Sequence, residues 1–356
     1  MAQLSLPSFK QPFVIGLTHT PVGPVPQVSS SLGWRDRFGT LKVRWGIGRT
    51  HYSIEPGLYA LGRPDEQSPV LVTANYKMSF DKLREALPDR NIWVLVLDTQ
   101  GINVWCASGK GAFGTTELVG RMKSSGLSQI VSHRKLILPQ LSGPGVAAHL
   151  VKKLSGFKVI YGPIRATDLP TFLEAGLKAT PKMRLKTFTT LERMVLIPME
   201  LVLALKAGMI VMPILFLLAL FGKSGESWTN AFNHGVFSIM AILTAILAGA
   251  VLTPLLLPWL PGRAFSVKGF SIGCLTVAAL LVFRWNDWVT WAGRLEILAW
   301  LLFIPAASAY LAMNFTGAST YTSLSGVRRE MRWALPLEIG AGIVGLILWL
   351  GSNFLA

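Results

Sequence analysis

The residues of this chain with the clearest chemical potential are Asn103-Val-Trp-Cys-Ala-Ser-Gly-Lys110. Cys106 is the only cysteine before Cys274. It follows an apolar strand, Trp93–Asp98, and a short turn, Thr99–Ile102, so it falls in the first turns of a helix beginning near Asn103. A thiolate is favoured there by the helix dipole and by Lys110 nearby. The small neighbours Ala107, Ser108, Gly109 and Gly111 let a flat ligand approach the backbone closely. Sulfur so placed can ligate a soft metal centre carried by a bound cofactor. The plainer alternative is a packed small hydrophobe, the usual fate of a lone cysteine.

Other catalytic patterns are missing. The histidines at 19, 51, 133, 149 and 234 form no paired metal motif, and none is placed to make a Cys–His dyad recognisable. No Gly-x-Gly-x-x-Gly follows a strand, there is no Walker A sequence, and the Asp-x-His-x-x-Gly signature that brings histidine to cobalt is absent. Two cysteines in separate regions support neither a disulfide framework nor an internally ligated iron–sulfur cluster.

The elements that must hold Cys106 alternate in type. Strands are expected at Val70–Asn75, Trp93–Asp98, Lys135–Pro139 and Phe157–Tyr161, and helices at Phe80–Leu87, Thr115–Ser125, Val146–Leu154 and Leu169–Ala179. This alternation predicts a parallel sheet covered on both faces, with ligands at the carboxyl ends of its strands. Thr73-Ala-Asn75 with Ser79, Gln100–Gly111, Gln140–Gly145 and Tyr161-Gly-Pro163 all fall at that edge and outline a cleft for a large, flat, polar-rimmed ligand. Residues 40–62 read as a small β-rich entry segment, and residues 1–30, rich in Pro, Ser and Gly, as a flexible arm.

Composition divides the chain. Of its 356 residues 51% are hydrophobic, too many for a purely soluble protein, and 24 of the 34 Lys and Arg precede residue 191. A basic domain over 31–185 is therefore expected, then a linker over 186–198 and a membrane domain over 199–356. Five apolar segments are each long enough to span a bilayer: Met199–Phe221, Phe232–Leu256, Phe265–Phe283, Ile297–Phe315 and Leu335–Leu355. The loops Gly262–Lys268 and Asn314–Arg332 carry the positive excess, which puts them and the basic domain on the cytoplasmic side of the inner membrane and the C-terminus outside. No signal peptide is expected, because Met1–Pro7 has no charged segment followed by an apolar run. Anionic membrane lipid accounts for the basic charge, and no nucleic-acid-binding signature accompanies it. Glu200 and Glu338 read as helix-end charges paired with Arg193, Lys206 or Arg332, with a conducting or gating role as the alternative. Cys274 reads as a small buried apolar residue.

Asn103–Lys110 resembles the cap-helix motif of the mercury-methylating corrinoid proteins, the HgcA family, themselves related to the corrinoid iron–sulfur protein of the acetyl-CoA pathway. The resemblance runs from about Trp34 to the C-terminus. It includes Pro69–Lys77, Val96–Asp98, Leu138–Leu141, Gly145–His149, Tyr161–Pro163, Asn314–Thr320 and Ser325–Glu330. Ser108 stands where alanine is common and Ser79 where threonine is typical, so the hydroxyl at 79 survives.

The resemblance implies an α/β Rossmann-like corrinoid-binding domain followed by an all-α membrane domain of five transmembrane helices. It implies a corrinoid (cobalamin or methylcobalamin) contacted by Thr73, Ser79, Asn103, Val104, Trp105, Cys106, Ala107, Gly109 and Lys110, with Cys106 as catalytic residue and lower axial ligand of the cobalt. The implied activity is an anaerobic, corrinoid-dependent methyltransferase that passes a methyl group to mercuric ion, presented as a thiolate complex, to form methylmercury. Thiolate donation labilises the opposite methyl group as a carbanion equivalent, which suits a soft acceptor. Its implied partners are a ferredoxin-like iron–sulfur reductant and a methyltetrahydrofolate-linked methyl donor. Two other readings stay open: a membrane corrinoid methyl carrier of one-carbon metabolism with a non-mercury acceptor, and a membrane transporter or anchor with a regulatory nucleotide-binding domain.

Overall fold

The structure, a computed structural model, describes residues 6–222, 228–319 and 323–354. The chain divides into two compact units. One comprises residues up to Val43 with Ile47–Lys186, and the other Arg44–Gly46 with the chain from Thr187 onward.

The first unit is built on one seven-stranded sheet. Its strands are β1 (Val14–Thr20), β2 (Gly23–Val28), β3 (Gly57–Leu61), β4 (Val70–Ala74), β5 (Ile92–Leu97), β6 (Lys135–Leu138) and β7 (Lys158–Tyr161), in the order β1-β2-β3-β5-β4-β6-β7. The four strands expected from apolar runs, β4 to β7, pair in parallel with one another. Apolar sequence, broken only by Thr73, suits β4 and β5 because both of their faces are buried.

The sheet is nonetheless mixed. β3 lies antiparallel to β5, and β1 and β2 form an antiparallel hairpin whose second strand joins β3 in parallel. Residues 14–28, expected as a flexible arm, are thus sheet; Val25 and Val28 are fully buried and fix the hairpin to the core. Leu41–Trp45, expected in a β-rich segment, ends a helix instead, α1 (Trp34–Arg44).

Helices α2 (Lys77–Glu85), α3 (Val104–Lys110), α4 (Thr115–Ser124), α5 (Leu127–Ile130), α6 (Ala148–Ser155) and α7 (Leu169–Glu174) connect and cover the strands. Alternate strand residues point to opposite faces. Val70, Val72, Leu95 and Leu136 pack with Phe113, Leu118, Met122 and Val151 from the α4 and α6 side. Leu71, Val94, Val96 and Ile137 pack with Phe80, Leu83, Leu169 and Phe172 from α2 and α7. An ion network ties α2 to α1. Lys77 bridges Asp36 at 2.5 Å and Asp81 at 2.6 Å, and buried Arg84 bridges Asp36 at 2.7 Å and Asp81 at 2.9 Å. Arg84 also donates to the carbonyls of Ser29 and Ser31, which secures the end of the hairpin.

The second unit is helical. Its elements are α8 (Thr190–Met194), α9 (Ile197–Gly222), α10 (Trp228–Ile246), α11 (Thr253–Leu256), α12 (Phe265–Leu281), α13 (Trp291–Asn314) and α14 (Leu324–Phe354). The stretch expected as a linker, 186–198, contains a capping box: Thr189 accepts from the Glu192 amide while Glu192 accepts from the Thr189 amide.

Among the described residues, five helices are long and apolar enough to cross a membrane: Thr190–Gly222, Trp228–Leu256, Phe265–Arg284, Trp291–Gly317 and Ser325–Phe354. The chain therefore has the makings of a multi-pass membrane protein. Small residues let these helices touch: a Cβ on Gly269 would meet the Ser308 carbonyl at 2.5 Å, and one on Gly273 the Pro305 Cα at 2.6 Å. α10 passes into α11 through a π-helical turn, Leu247–Leu252, where Thr253 donates to the Ala248 carbonyl at 2.8 Å.

Candidate functional site

Crossovers from β4 run one way to β5, and the chain then passes to β6 on the other side, so the sheet's switch point lies between β4 and β6. Open α/β sheets bind ligands just outside the carboxyl ends of the strands at such a point. A pocket of about 390 Å³ opens there. Thr73 and Leu138 line it from the strand ends, Tyr76 from the N-cap of α2, Ser79 and Leu83 from α2 itself, and Pro163 and Leu169 from the α7 side. Asn103, Val104 and Trp105 border it from the start of α3.

Helix α3 begins where the sequence places it because Asn103 is its N-cap: the side-chain oxygen accepts the Cys106 amide at 2.9 Å. Gly111, at φ 85°, ends the helix in the left-handed region. Cys106 is exposed on the first turn, beside half-exposed Trp105. Gly109 faces open space, with no atom within 4 Å of an added Cβ, and Lys110 is exposed in the last turn.

The nine expected contact residues therefore fall into two sets. Thr73, Ser79, Asn103, Val104 and Trp105 share the pocket, while Cys106, Gly109 and Lys110 lie on the outer surface of α3. Ala107 belongs to neither: its methyl group is fully buried in the core with Phe113 and Val146, so it anchors α3 and does not present a side chain to a ligand.

The loop that aims α3 is fixed from beneath by Asn75, at the end of β4. The Asn75 side-chain oxygen accepts the Thr99 amide at 3.1 Å, the Thr99 hydroxyl at 2.8 Å and the Gly101 amide at 3.0 Å, and its amide nitrogen donates to Asp98 at 3.1 Å. Gln100 and Gly101 both take positive φ, 56° and 70°; Asp98 holds the Gln100 amide at 3.0 Å. On the opposite side of α3, Gly145 sits where a Cβ would meet the Phe113 carbonyl at 2.2 Å and the Ser108 Cα at 3.0 Å. Only glycine lets that loop close on the helix. Tyr161 donates to the Val146 carbonyl at 2.7 Å, and burial raises its pKa.

The role of Asn75 is not visible in the sequence, since its partners lie 23 to 26 positions away. Tyr76 and Leu83 also line the pocket without having been expected there; their helical spacing with Ser79 is the signal that marks them.

A corrin ring presents two broad, largely apolar faces and a polar rim. The donor set here suits such a group: a solvent-open sulfur on a capped helix, an unobstructed Gly109 beside it, and an apolar pocket edged by Thr73, Ser79 and Asn103 hydroxyl and amide groups. Among the described residues no cluster of His, Cys, Asp or Glu could hold a metal ion without such a cofactor.

Residues 42–173 match the family model described as CO dehydrogenase/acetyl-CoA synthase delta subunit, CdhD. The match covers the sheet from β3 to β7, α3 and the pocket, and ends before the helical unit. The chain is 34% identical over 131 residues to an acetyl-CoA decarbonylase/synthase complex subunit gamma from Methanopyrus kandleri, covering 35% of this chain and 27% of that protein. It is 29% identical over 143 residues to the subunit gamma of Archaeoglobus fulgidus, covering 38% and 29%. It is 25% identical over 190 residues to the corrinoid/iron–sulfur protein large subunit of Moorella thermoacetica, covering 48% and 42%. The chain thus spans less than half the length of these relatives.

Proposed function

We propose that this protein is a membrane-anchored corrinoid methyltransferase that delivers a methyl group to mercuric ion. The observation that carries this reading is the position of Cys106: exposed, on the N-capped first turn of α3, next in sequence to Trp105, which lines the pocket at the switch point. The similarity to a corrinoid/iron–sulfur protein supports the cofactor class.

Cobalt in the bound corrinoid would supply the methyl group, leaving with its bonding electron pair. The chain's own residues do the rest. Cys106 would hold the cobalt through its sulfur, while Asn103 caps α3 and Asn75 fixes the loop that leads into it. Thr73, Ser79, Val104 and Trp105 seat the ring. Gly109 leaves the helix face clear, and Lys110 stands one helical turn beyond Cys106 in the last turn of α3. Recharging such a cofactor after it gives up a methyl group with its bonding pair would require two electrons. With two cysteines the chain cannot ligate an iron–sulfur cluster by itself, so a ferredoxin-like iron–sulfur protein supplies those electrons and a methyltetrahydrofolate-linked donor restores the methyl group. The net charge of +16 favours docking of an acidic reductant and of anionic lipid. The membrane is the cytoplasmic one, with the α/β unit on its inner side and the C-terminus outside.

A second reading is favoured by the acetyl-CoA-related relatives: a membrane corrinoid methyl carrier with an acceptor other than mercury. One assay separates the two. Full-length protein loaded with methylated corrinoid is given mercuric ion as its thiol complex, with the reductant and donor present. Repeated methylmercury formation supports the first reading. Retention of the methyl group with mercury present, together with its release to a one-carbon acceptor, selects the second.

A further inference from the structure

The helical unit encloses a second pocket, of about 440 Å³, between α12, α13 and α14. Its walls are apolar, including Phe270, Leu301, Leu302, Ala306 and Leu337. Two polar side chains interrupt them. Both carboxylate oxygens of Glu338 are buried and have no hydrogen-bond partner among the described residues. The same holds for the hydroxyl of Ser266, a residue only 3% exposed. The amide of Ser266 is already engaged, donating to Glu330 at 2.6 Å, so the loose hydroxyl is not a sign of a loose backbone. Trp333 completes the rim.

The pairing with Arg193 or Arg332 expected for Glu338 does not occur. Arg193 is committed to the Phe188 and Leu255 carbonyls and the Thr190 hydroxyl, and the Arg332 side chain is exposed. Lys268, on α12, donates instead to the carbonyls of Leu257 and Leu260. Glu338 lies six residues beyond Arg332, about 9 Å further along the helix axis, inside the span Ser325–Phe354. Buried carboxylates and hydroxyls without partners are costly, more so in a membrane, and they mark sites that something else completes.

We infer that this pocket binds an amphiphile with an apolar chain and a primary ammonium head. An ammonium group supplies positive charge for Glu338, N–H donors for both Glu338 and Ser266, and a cation for the face of Trp333. The apolar walls accept the adjoining chain. Lipid is the abundant source of such a molecule next to a spanning helix, and ethanolamine-headed phospholipid has the required head. A choline head keeps the charge but has no N–H to donate, and a glycerol head has no positive charge.

The test uses the delipidated full-length protein in detergent and native mass spectrometry with phosphatidylethanolamine, phosphatidylcholine and phosphatidylglycerol of matched chains. One ethanolamine lipid should bind at least tenfold more tightly than either of the others. Glu338→Gln should remove that preference, and Ser266→Ala should reduce it. Dodecylammonium should displace the ethanolamine lipid and dodecanoate should not, which separates recognition of the ammonium-and-chain unit from recognition of a whole lipid. Equal binding of the three lipids by the native protein would overturn the inference even if the variants fail to fold. So would an undiminished preference in Glu338→Gln, or displacement by dodecanoate as effective as that by dodecylammonium.

Discussion

The side-chain oxygen of Asn75 holds the backbone amide of Gly101 at 3.0 Å, and through that bond the end of strand β4 sets where helix α3 begins. The two residues are 26 positions apart in sequence, yet they decide how Cys106 stands over the sheet edge. Asn75 is only 6% exposed and its side chain takes part in four hydrogen bonds, so water has little access to replace it.

Asn75→Ala should destabilise the α/β unit by about 1–3 kcal/mol, because it leaves buried donors of the 99–101 loop unpaired. Hydrogen exchange should rise at Thr99 and Gly101 and along α3, and corrinoid loading should fall with Cys106 intact. Native-like protection of α3 in the variant would remove Asn75 from its positioning role.

Gly145→Ala and Gly109→Ala should differ in kind. At Gly145 the new methyl meets backbone on two sides, and overpacking of that sort costs about 1–3 kcal/mol. At Gly109, inside a helix and facing open space, alanine should stabilise the free protein by up to about 1 kcal/mol. It should still weaken corrinoid binding, since the added methyl lies on the face a ring would approach. Thermal denaturation and corrinoid titration of both variants check this pair. Unchanged binding by Gly109→Ala would move the ring off that face.

Acid sensitivity should trace in part to Asp36. Burial by itself raises its carboxyl, but the hydrogen bonds and charges of Lys77 and Arg84 outweigh burial and hold it below the ordinary 3.8. A carboxyl lowered on folding contributes stability that is complete above its unfolded value and is lost as the pH falls through its folded value. Between about pH 5 and about pH 3 the native protein should therefore lose melting temperature more steeply than Asp36→Asn. The variant should start from a lower plateau, because it leaves buried Arg84 with one carboxylate fewer. Parallel slopes would assign the acid sensitivity elsewhere.

Much of this organisation was legible in the sequence because local pattern carried it. The apolar runs of β4 and β5 announce strands buried on both faces, Asn103 announces a helix start, and the charge-poor second half announces helices of spanning length. The hairpin β1–β2 was not legible. Its Pro- and Gly-rich strands, including Gly23-Pro-Val-Pro26, contradict strand propensity and are held by pairing with each other and with β3. Likewise Leu41-Lys-Val-Arg-Trp45 alternates as a strand does but closes α1, whose Asp36 is bonded to α2. For the candidate site, the residues on α3 could be named from their own stretch of chain. Asn75 and Gly145 could not, since each acts through contacts made only when distant loops meet.

The central claim is that Cys106 ligates cobalt, and X-ray absorption at the cobalt edge of the purified, corrinoid-loaded protein tests it most directly. A sulfur neighbour should be present in the native protein and absent in Cys106→Ala, which should keep its fold and membrane insertion but lose methyl transfer to mercury. Coordination by nitrogen or oxygen alone in the native protein would contradict the account.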